Sequence, residues 1–180
     1  YYGDVSGRIE NSDSTNNSLR IDVDPDATGA SSSFMVRIDG SEKFRIDSSG
    51  AVTKPNHPVF IAYRVSNYSL TTSPTEMVYN NERIDVGSNY NPSNGRFTAP
   101  VTGLYEFAYA SIANNTNTVY RYALRINGSE PYSPMTLELR IHQASSEYGT
   151  NGEYVCYVNM TAGQYASVYA YVSSGSNISC

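Results

Sequence analysis

The sequence is short of charge, of cysteine and of tryptophan. Its 180 residues include no Trp, two Cys and two His, and only 16% of them are charged. A solvated helical bundle is rich in Ala, Glu, Lys and Leu, which does not fit so low a charged fraction. A net charge of -5 leaves little basic surface to neutralise the phosphates of a nucleic acid. No apolar run approaches the roughly 20 residues that a membrane-spanning helix needs. These shortages argue against all three classes.

The two cysteines carry little information about the fold. Cys156 lies within a strand-like run, and Cys180 is the last residue of the sequence. Two cysteines without a C-x-x-C spacing make neither a disulfide framework nor a typical zinc site. A buried thiol at Cys156 is therefore favoured over a Cys156–Cys180 bridge.

Residues typical of strands and tight turns are abundant instead. The sequence contains 17 Tyr and 13 Gly, with many Val, Ile, Thr, Asn and Ser, which are the residues of half-buried strands and of turns. It divides at Pro55–Pro58, where two prolines favour an extended connector. We therefore predict an all-β protein with a short shaft-like segment over residues 1–55 and a head over residues 56–180.

The segment over residues 1–55 contains a short repeat. Arg-Ile-Asp occurs three times, each time inside a brief alternating strand candidate, at Arg20–Asp22, Arg37–Asp39 and Arg45–Asp47. Asp39-Gly40 predicts a tight turn between two of these candidates. About 55 residues with so few large apolar groups bury too little surface to fold alone, and repeats of this kind are stabilised by stacking on copies of themselves. The segment is therefore expected to depend on oligomerisation.

The second part alternates as buried strands do. Met135, Leu137, Leu139 and Ile141 lie on one face of one strand candidate, and Tyr120, Tyr122, Leu124 and Ile126 on one face of another. Asn-Gly pairs, which favour hairpin turns, occur at Asn94-Gly95, Asn127-Gly128 and Asn151-Gly152. Six or more strands at this spacing predict a sandwich or a jelly roll.

The stretch from Asp85 to Phe107 resembles the signature of the C1q-like globular head family. That signature has the form N-x-G-x-x-Y-x-x-x-x-G-x-F-x-x-P-x-x-G-x-Y-x-F, and only its first Asn differs here, as Asp85. The resemblance implies a ten-stranded jelly roll of the tumour necrosis factor type, assembled as a homotrimer. The residues expected in the core or trimer interface are Phe60, Phe97, Tyr105, Phe107, Tyr120, Tyr122, Tyr169 and Tyr171.

The family closes with a final strand containing a Phe-Ser-Gly-Phe-Leu-like run, which is absent before Cys180. Either the chain is a piece of a longer protein or a partner supplies the strand. Its start at Tyr1, without Met or a signal peptide, also predicts a piece of a longer protein. An unclosed jelly roll exposes a strand edge that is prone to aggregation. Residues 34–50 also resemble repeat segments in the tail fibres of bacteriophages, and such segments typically precede a receptor-binding tip.

A metal site and a catalytic site find little support. Asp22, Asp24 and Asp26 form a D-x-D-x-D run, but an EF-hand loop needs Gly at its sixth position and a carboxylate at its twelfth. The sequence has Ala27 and Ser33 there, so a solvated acidic turn is favoured and calcium is the alternative. Since no G-x-S-x-G or H-E-x-x-H motif is present, we predict no enzyme and no other cofactor.

The loops are suited to binding saccharides. Tyr stacks on sugar rings, and Asn and Ser supply adaptable hydrogen bonds. The candidate ligand-binding residues are Asn114, Asn115, Asn117, Tyr148, Asn151 and Asn177. Plain solvated turns are the alternative interpretation of each loop.

Together these features predict a trimeric virion fibre protein whose head binds a host-surface receptor, with a glycan favoured over a protein. The alternatives are a structural trimerisation or virion-decoration module without a receptor, and a secreted cellular C1q-like adhesion protein. The expected partners are copies of the chain, upstream fibre or virion proteins, and the receptor, with no nucleic acid and no membrane insertion. The expected location is an extracellular tail or capsid fibre of a virion.

Overall fold

The computed structural model describes residues 7–12, 18–23, 29, 31–113, 118–131, 137–143 and 150–174. Within these ranges the chain forms strands, turns and loops, and no described segment is a helix that could cross a membrane. The chain divides into two compact units, Tyr1–His57 and Pro58–Cys180, against a predicted boundary after residue 55. The prediction of an all-β fold is confirmed.

The first unit consists of antiparallel strands of the predicted kind. Strands β1 (Gly7–Ser12) and β2 (Ser18–Val23) form one hairpin. Strands β3 (Ser33–Ile38), β4 (Ser41–Asp47) and β5 (Val52–Thr53) form a three-stranded sheet. The turn between β3 and β4 has positive φ angles at Asp39 (51°) and Gly40 (74°), as the Asp-Gly pair predicts.

The described strands of the second unit form three separately hydrogen-bonded sheets. Its strands are β6 (Val59–Tyr63), β7 (Thr75–Glu76), β8 (Asn81–Val86), β9 (Tyr90–Asn91), β10 (Arg96–Thr98), β11 (Gly103–Ala113), β12 (Thr118–Ile126), β13 (Glu138–Gln143), β14 (Thr150–Met160) and β15 (Tyr165–Ser174). One sheet has the order β13-β12-β15-β10-β9, with β7 also pairing with β15. Two ribbons, β6–β8 and β11–β14, complete the unit.

An aromatic cluster occupies the core of the second unit. The Phe97 side chain is 3% exposed, and its ring lies 5.0 Å from Phe60, 5.6 Å from Tyr105 and 5.8 Å from Phe107, measured between centroids. Phe60 also stacks on Tyr90 at 4.8 Å. The signature residues Phe97, Tyr105 and Phe107 therefore pack together, as their alternation along two strands suggests.

The predicted core residues divide by the strand face on which they lie. Tyr120 and Tyr122 are buried in the core, at 9% and 4% exposure. Tyr169 and Tyr171 lie on the opposite face of β15, outside this core, and their place in a trimer interface stays a prediction. The even residues of that strand, Ala166, Val168 and Ala170, face the core, so alternation directs the Tyr169 and Tyr171 side chains to the other face of the sheet.

One of the three Asn-Gly pairs does not form a turn. Asn127 (φ 51°) and Gly128 (φ 78°) form the turn that ends β12, and Gly95 (φ 75°) precedes β10. Asn151 and Gly152 instead lie inside β14, where they pair with β11. A Cβ atom at Gly152 would lie 2.7 Å from Cγ1 of Ile141, so this glycine permits the close approach of β13 to β14.

Candidate functional site

An exposed apolar surface covers the outward side of the two ribbons. Phe60 and Phe107 contact each other in the core, so their neighbours in the alternation point away from it. We call this surface the apolar face: Val59, Ile61, Tyr63, Ile84, Leu104, Ile112, Val155 and Tyr157. The most exposed is Leu104, at 65%. Exposed apolar side chains grouped on one side of a strand pair, as Ile61 and Ile84 are, mark an interaction site on a protein surface.

A single charged residue of β11 also lies on the apolar face. Glu106 is the cross-strand neighbour of Tyr157, and its carboxylate accepts a hydrogen bond from the Tyr157 phenol. This bond and the negative charge raise the pKa of Tyr157 above its usual value. Two further polar residues of β14, Glu153 and Asn159, are exposed on the same side of the ribbon, opposite Ala110 and Leu104.

A cleft of 1010 Å³ separates β6 from β11. Consecutive residues of β11, from Phe107 to Ile112, line it, as expected where a strand presents its edge. Among the described strands, β6 pairs only with β8 and β11 only with β14. Residues 175–180 lie outside the described part of the chain, so the absence of the closing strand stays a prediction.

The outer face of the large sheet carries alternating arginine and tyrosine side chains. We call it the Arg–Tyr face: Arg96, Arg121, Arg125, Tyr165, Tyr169 and Tyr171. The guanidinium carbon lies over a tyrosine ring in three places, at 4.1 Å for Arg96 on Tyr165, 4.6 Å for Arg125 on Tyr169 and 5.7 Å for Arg121 on Tyr171. Such cation–π contacts stabilise the face and fix the rings.

The carboxylates of Glu76 and Glu138 pair closely with arginines of this face. Glu76 accepts two hydrogen bonds of 2.8 Å from Arg96, which hold the pKa of the glutamate below its ordinary value and raise that of Arg96. Glu138 accepts hydrogen bonds from Arg121, Arg140 and the Tyr171 hydroxyl, which compensate the burial of its carboxylate.

The remaining pair of the Arg–Tyr face is the loosest. A terminal nitrogen of Arg125 lies 3.8 Å from a carboxylate oxygen of Glu130, and Nε of Arg125 has no hydrogen-bond partner in the described part of the chain. The Glu130 side chain is 33% exposed. A partly exposed ion pair at this distance contributes little free energy.

Asp85, the one departure from the family signature, has a structural role. Its two carboxylate oxygens accept hydrogen bonds of 3.0 Å from the backbone N–H groups of Asn89 and Tyr90. The connection from β8 to β9 bends sharply there, with φ of 54° at Ser88. A carboxylate offers two equivalent acceptors for this bend, so Asp85 fits the position that the signature gives to Asn.

Cys156 is a free thiol buried in the core, at 5% exposure. Its Sγ donates to the carbonyl oxygen of Phe107 at 3.8 Å. Burial raises the pKa of the thiol to about 11. The prediction of a buried thiol at this position is confirmed.

Most of the ligand-binding and metal candidates fall outside the described residues. These are Asn114, Asn115, Asn117, Tyr148, Asn177, Asp24 and Asp26. Asp22 lies in β2 and Asn151 in β14. Within the described ranges, no three His, Cys, Asp or Glu side chains are grouped as a metal site would require. Calcium binding and the loop sites stay predictions.

The Arg–Tyr face is the polar surface that sequence reasoning missed. The alternation of Arg121 and Arg125 with buried tyrosines in β12 places both arginines on the outward side. What they meet there depends on the register of β12 against β15, which sets Arg121 opposite Tyr171 and Arg125 opposite Ser167. Such pairing between distant segments has no local signal in the sequence.

Comparison with known proteins agrees with this architecture. Residues 59–147 match the family model of the C1q domain, whose members are non-enzymatic binding modules that generally form trimers. No curated protein matches the chain. The match and the all-β model together support a C1q-like head domain with a jelly-roll fold in the second unit.

Proposed function

We propose that this chain is part of a trimeric virion fibre whose C1q-like head binds a host-surface receptor, with a glycan as the expected class. The support is a binding module of the C1q type, preceded by a strand-repeat unit that resembles tail-fibre segments. The chain then acts extracellularly on a tail or capsid fibre, joined to upstream fibre or virion proteins. Three copies of a weak site on one head give an avidity that a single site lacks.

The apolar face carries the trimer part of this proposal. Leu104, Val155 and Tyr157 are each more than half exposed in the single chain, and burying such side chains contributes about 1.5–3 kcal/mol each. Two further copies of the chain are the occupants that a C1q-type domain implies. The face therefore packs against its symmetry-related copies.

Leu104→Glu tests the assembly by light scattering during gel filtration. A carboxylate in an apolar interface has no partner, so we expect the variant to elute as a chain of 19.8 kDa, while the unaltered protein elutes at three times that mass. Thr98→Glu, a matched change on the exposed side of β10, should leave the trimer intact. A Leu104→Glu variant that stays trimeric would place the interface elsewhere.

Receptor binding is tested with the trimer on a glycan array and on host-cell surfaces. Binding that exceeds that of the monomeric Leu104→Glu variant supports a recognition head. If the trimer binds neither glycans nor cells, the head is a structural module that registers or decorates the fibre. The C1q match equally fits a secreted cellular adhesion protein, and a signal peptide or collagen repeats in the full gene would favour that function.

A further inference from the structure

Two phenol hydroxyls converge at the turn that follows β12. A Cβ atom built on Gly128 would lie 3.4 Å from the hydroxyl of Tyr165 and 3.5 Å from that of Tyr169. Because residue 128 is glycine, this space is open. The turn is tied to the start of β15, since the Asn127 N–H donates to the Tyr165 carbonyl at 2.9 Å and the Asn127 side chain accepts from the Tyr165 N–H at 3.0 Å.

Two guanidinium groups lie over the rings of the same tyrosines. Arg96 covers the ring of Tyr165, and Arg125 covers the ring of Tyr169. Both N–H groups of Arg96 that face Glu76 are used in close hydrogen bonds. For Arg125, by contrast, the ion pair found among the described residues is the loose contact with Glu130, beside its cation–π contact with Tyr169. The positive charge of Arg125 is therefore the less compensated of the two.

Two carboxylates adjoin the cluster: Glu76, which Arg96 holds through two hydrogen bonds, and Glu130, which is only loosely paired with Arg125. Within the described residues, the hydroxyls of Tyr165 and Tyr169 donate to no side-chain acceptor. The Arg125 guanidinium can only donate hydrogen bonds. A ligand that supplies a pair of negatively charged oxygens matches this set, because guanidinium binds carboxylate through two parallel hydrogen bonds. Displacing Glu130 from its 3.8 Å contact costs little.

We propose that Arg125, Tyr165 and Tyr169 form a subsite, beside the Asn127–Gly128 turn, for the carboxylate of an acidic saccharide of the uronic-acid type. This inference rests on the proposed glycan recognition and specifies the ligand class. The guanidinium binds the carboxylate, and the two phenols donate to the carboxylate or to neighbouring ring hydroxyls. The subsite lies on the opposite side of the second unit's core from the apolar face, so assembly through that face leaves it accessible.

The test compares an oligoglucuronate with the neutral oligoglucoside of the same linkage, by calorimetry at low and at high salt. We expect the acidic oligosaccharide to bind more tightly, with an affinity that falls as salt rises. Arg125→Gln should weaken its binding about tenfold or more, since a hydrogen bond to a charged group is lost. Tyr165→Phe and Tyr169→Phe, which remove only the hydroxyls, should each weaken it by about three- to tenfold.

Arg83→Gln is the matched control, because it removes one exposed arginine from β8 and the same charge from the chain. It should leave the affinity unchanged, and circular dichroism should show the same fold for every variant. Equal binding of acidic and neutral oligosaccharides, or an Arg125→Gln variant that keeps its affinity, would overturn the subsite. Binding of neutral glycans alone on the array would also overturn it while leaving the proposed function standing. If the protein binds no glycan at all, the proposal that its receptor is a glycan is wrong.

Discussion

Replacing Phe97 by Ala is the sharpest test of the aromatic core. The side chain is 3% exposed and contacts the rings of Phe60, Tyr105 and Phe107. A buried Phe→Ala change costs about 3–5 kcal/mol, because it removes apolar contacts and leaves a cavity. Unfolding entropy of about 2.1 cal/mol/K per residue gives roughly 0.25 kcal/mol/K for the 120 or so residues of the second unit. The melting temperature should therefore fall by about 12–20 °C.

The assay is thermal unfolding followed by near-ultraviolet circular dichroism, at one fixed protein concentration because assembly raises the melting temperature. Thr98→Ala is the matched control, since it alters the next residue of β10, which is exposed on the opposite face of the strand. A surface change of this kind stays within about 0.5 kcal/mol. A Phe97→Ala variant that melts within about 4 °C of the control would refute the assignment of Phe97 to a packed core.

Three further predictions concern packing, the buried thiol and an ion pair. Gly152→Ala should destabilise the second unit by about 1–3 kcal/mol through overpacking. The control Gly103→Ala, with nothing within 4 Å of its added Cβ, should cost under about 1 kcal/mol. Equal urea midpoints for the two variants would contradict the close approach at Gly152. Burial raises the pKa of Cys156 to about 11, so a thiol reagent at pH 8 should modify at least one thiol fewer per chain in the folded protein than in denaturant. Equal numbers of modified thiols in the two conditions would place Cys156 at the surface. Since Arg96 lowers the pKa of Glu76, the stability contributed by this pair is present above the unfolded pKa and is lost as pH falls through the folded value. The deficit of Glu76→Gln in urea unfolding should thus shrink on acidification, and a deficit that grows would reverse this assignment.

The strands and much of the core follow from local patterns in the sequence. Alternation in β12 puts Tyr122 and Leu124 on the buried side, and both are under 5% exposed. The signature residues Phe97 and Phe107 likewise occupy one cluster. Period-two alternation with a clear apolar set specifies the face of a strand strongly, which is why these assignments needed no knowledge of tertiary contacts.

Features that depend on contacts between distant segments were not predictable. Asn151-Gly152 has the composition of a hairpin turn, yet the pair lies in β14, where it pairs with β11 and where Gly152 faces Ile141 of β13. The face of β15 on which Tyr169 lies could not be predicted, because this strand is apolar on both faces and its own sequence does not indicate which face is buried. The partner of that ring, Arg125, is 44 residues earlier in the chain.

The cleft between β6 and β11 determines where the second unit opens first. The β6–β8 ribbon forms no backbone ladder with another described strand, and side chains hold it in place, chiefly Phe60 stacked on Tyr90 and Phe97. Detaching the ribbon would lose apolar burial but break no ladder to another described strand. We therefore expect its amide protons to exchange through a sub-global opening of lower free energy than those of β12 and β15. Such an opening would uncover Phe97 and Phe107 together with the edge of β11 that pairs with no described strand. We therefore expect strand exchange between chains during folding to begin at this ribbon.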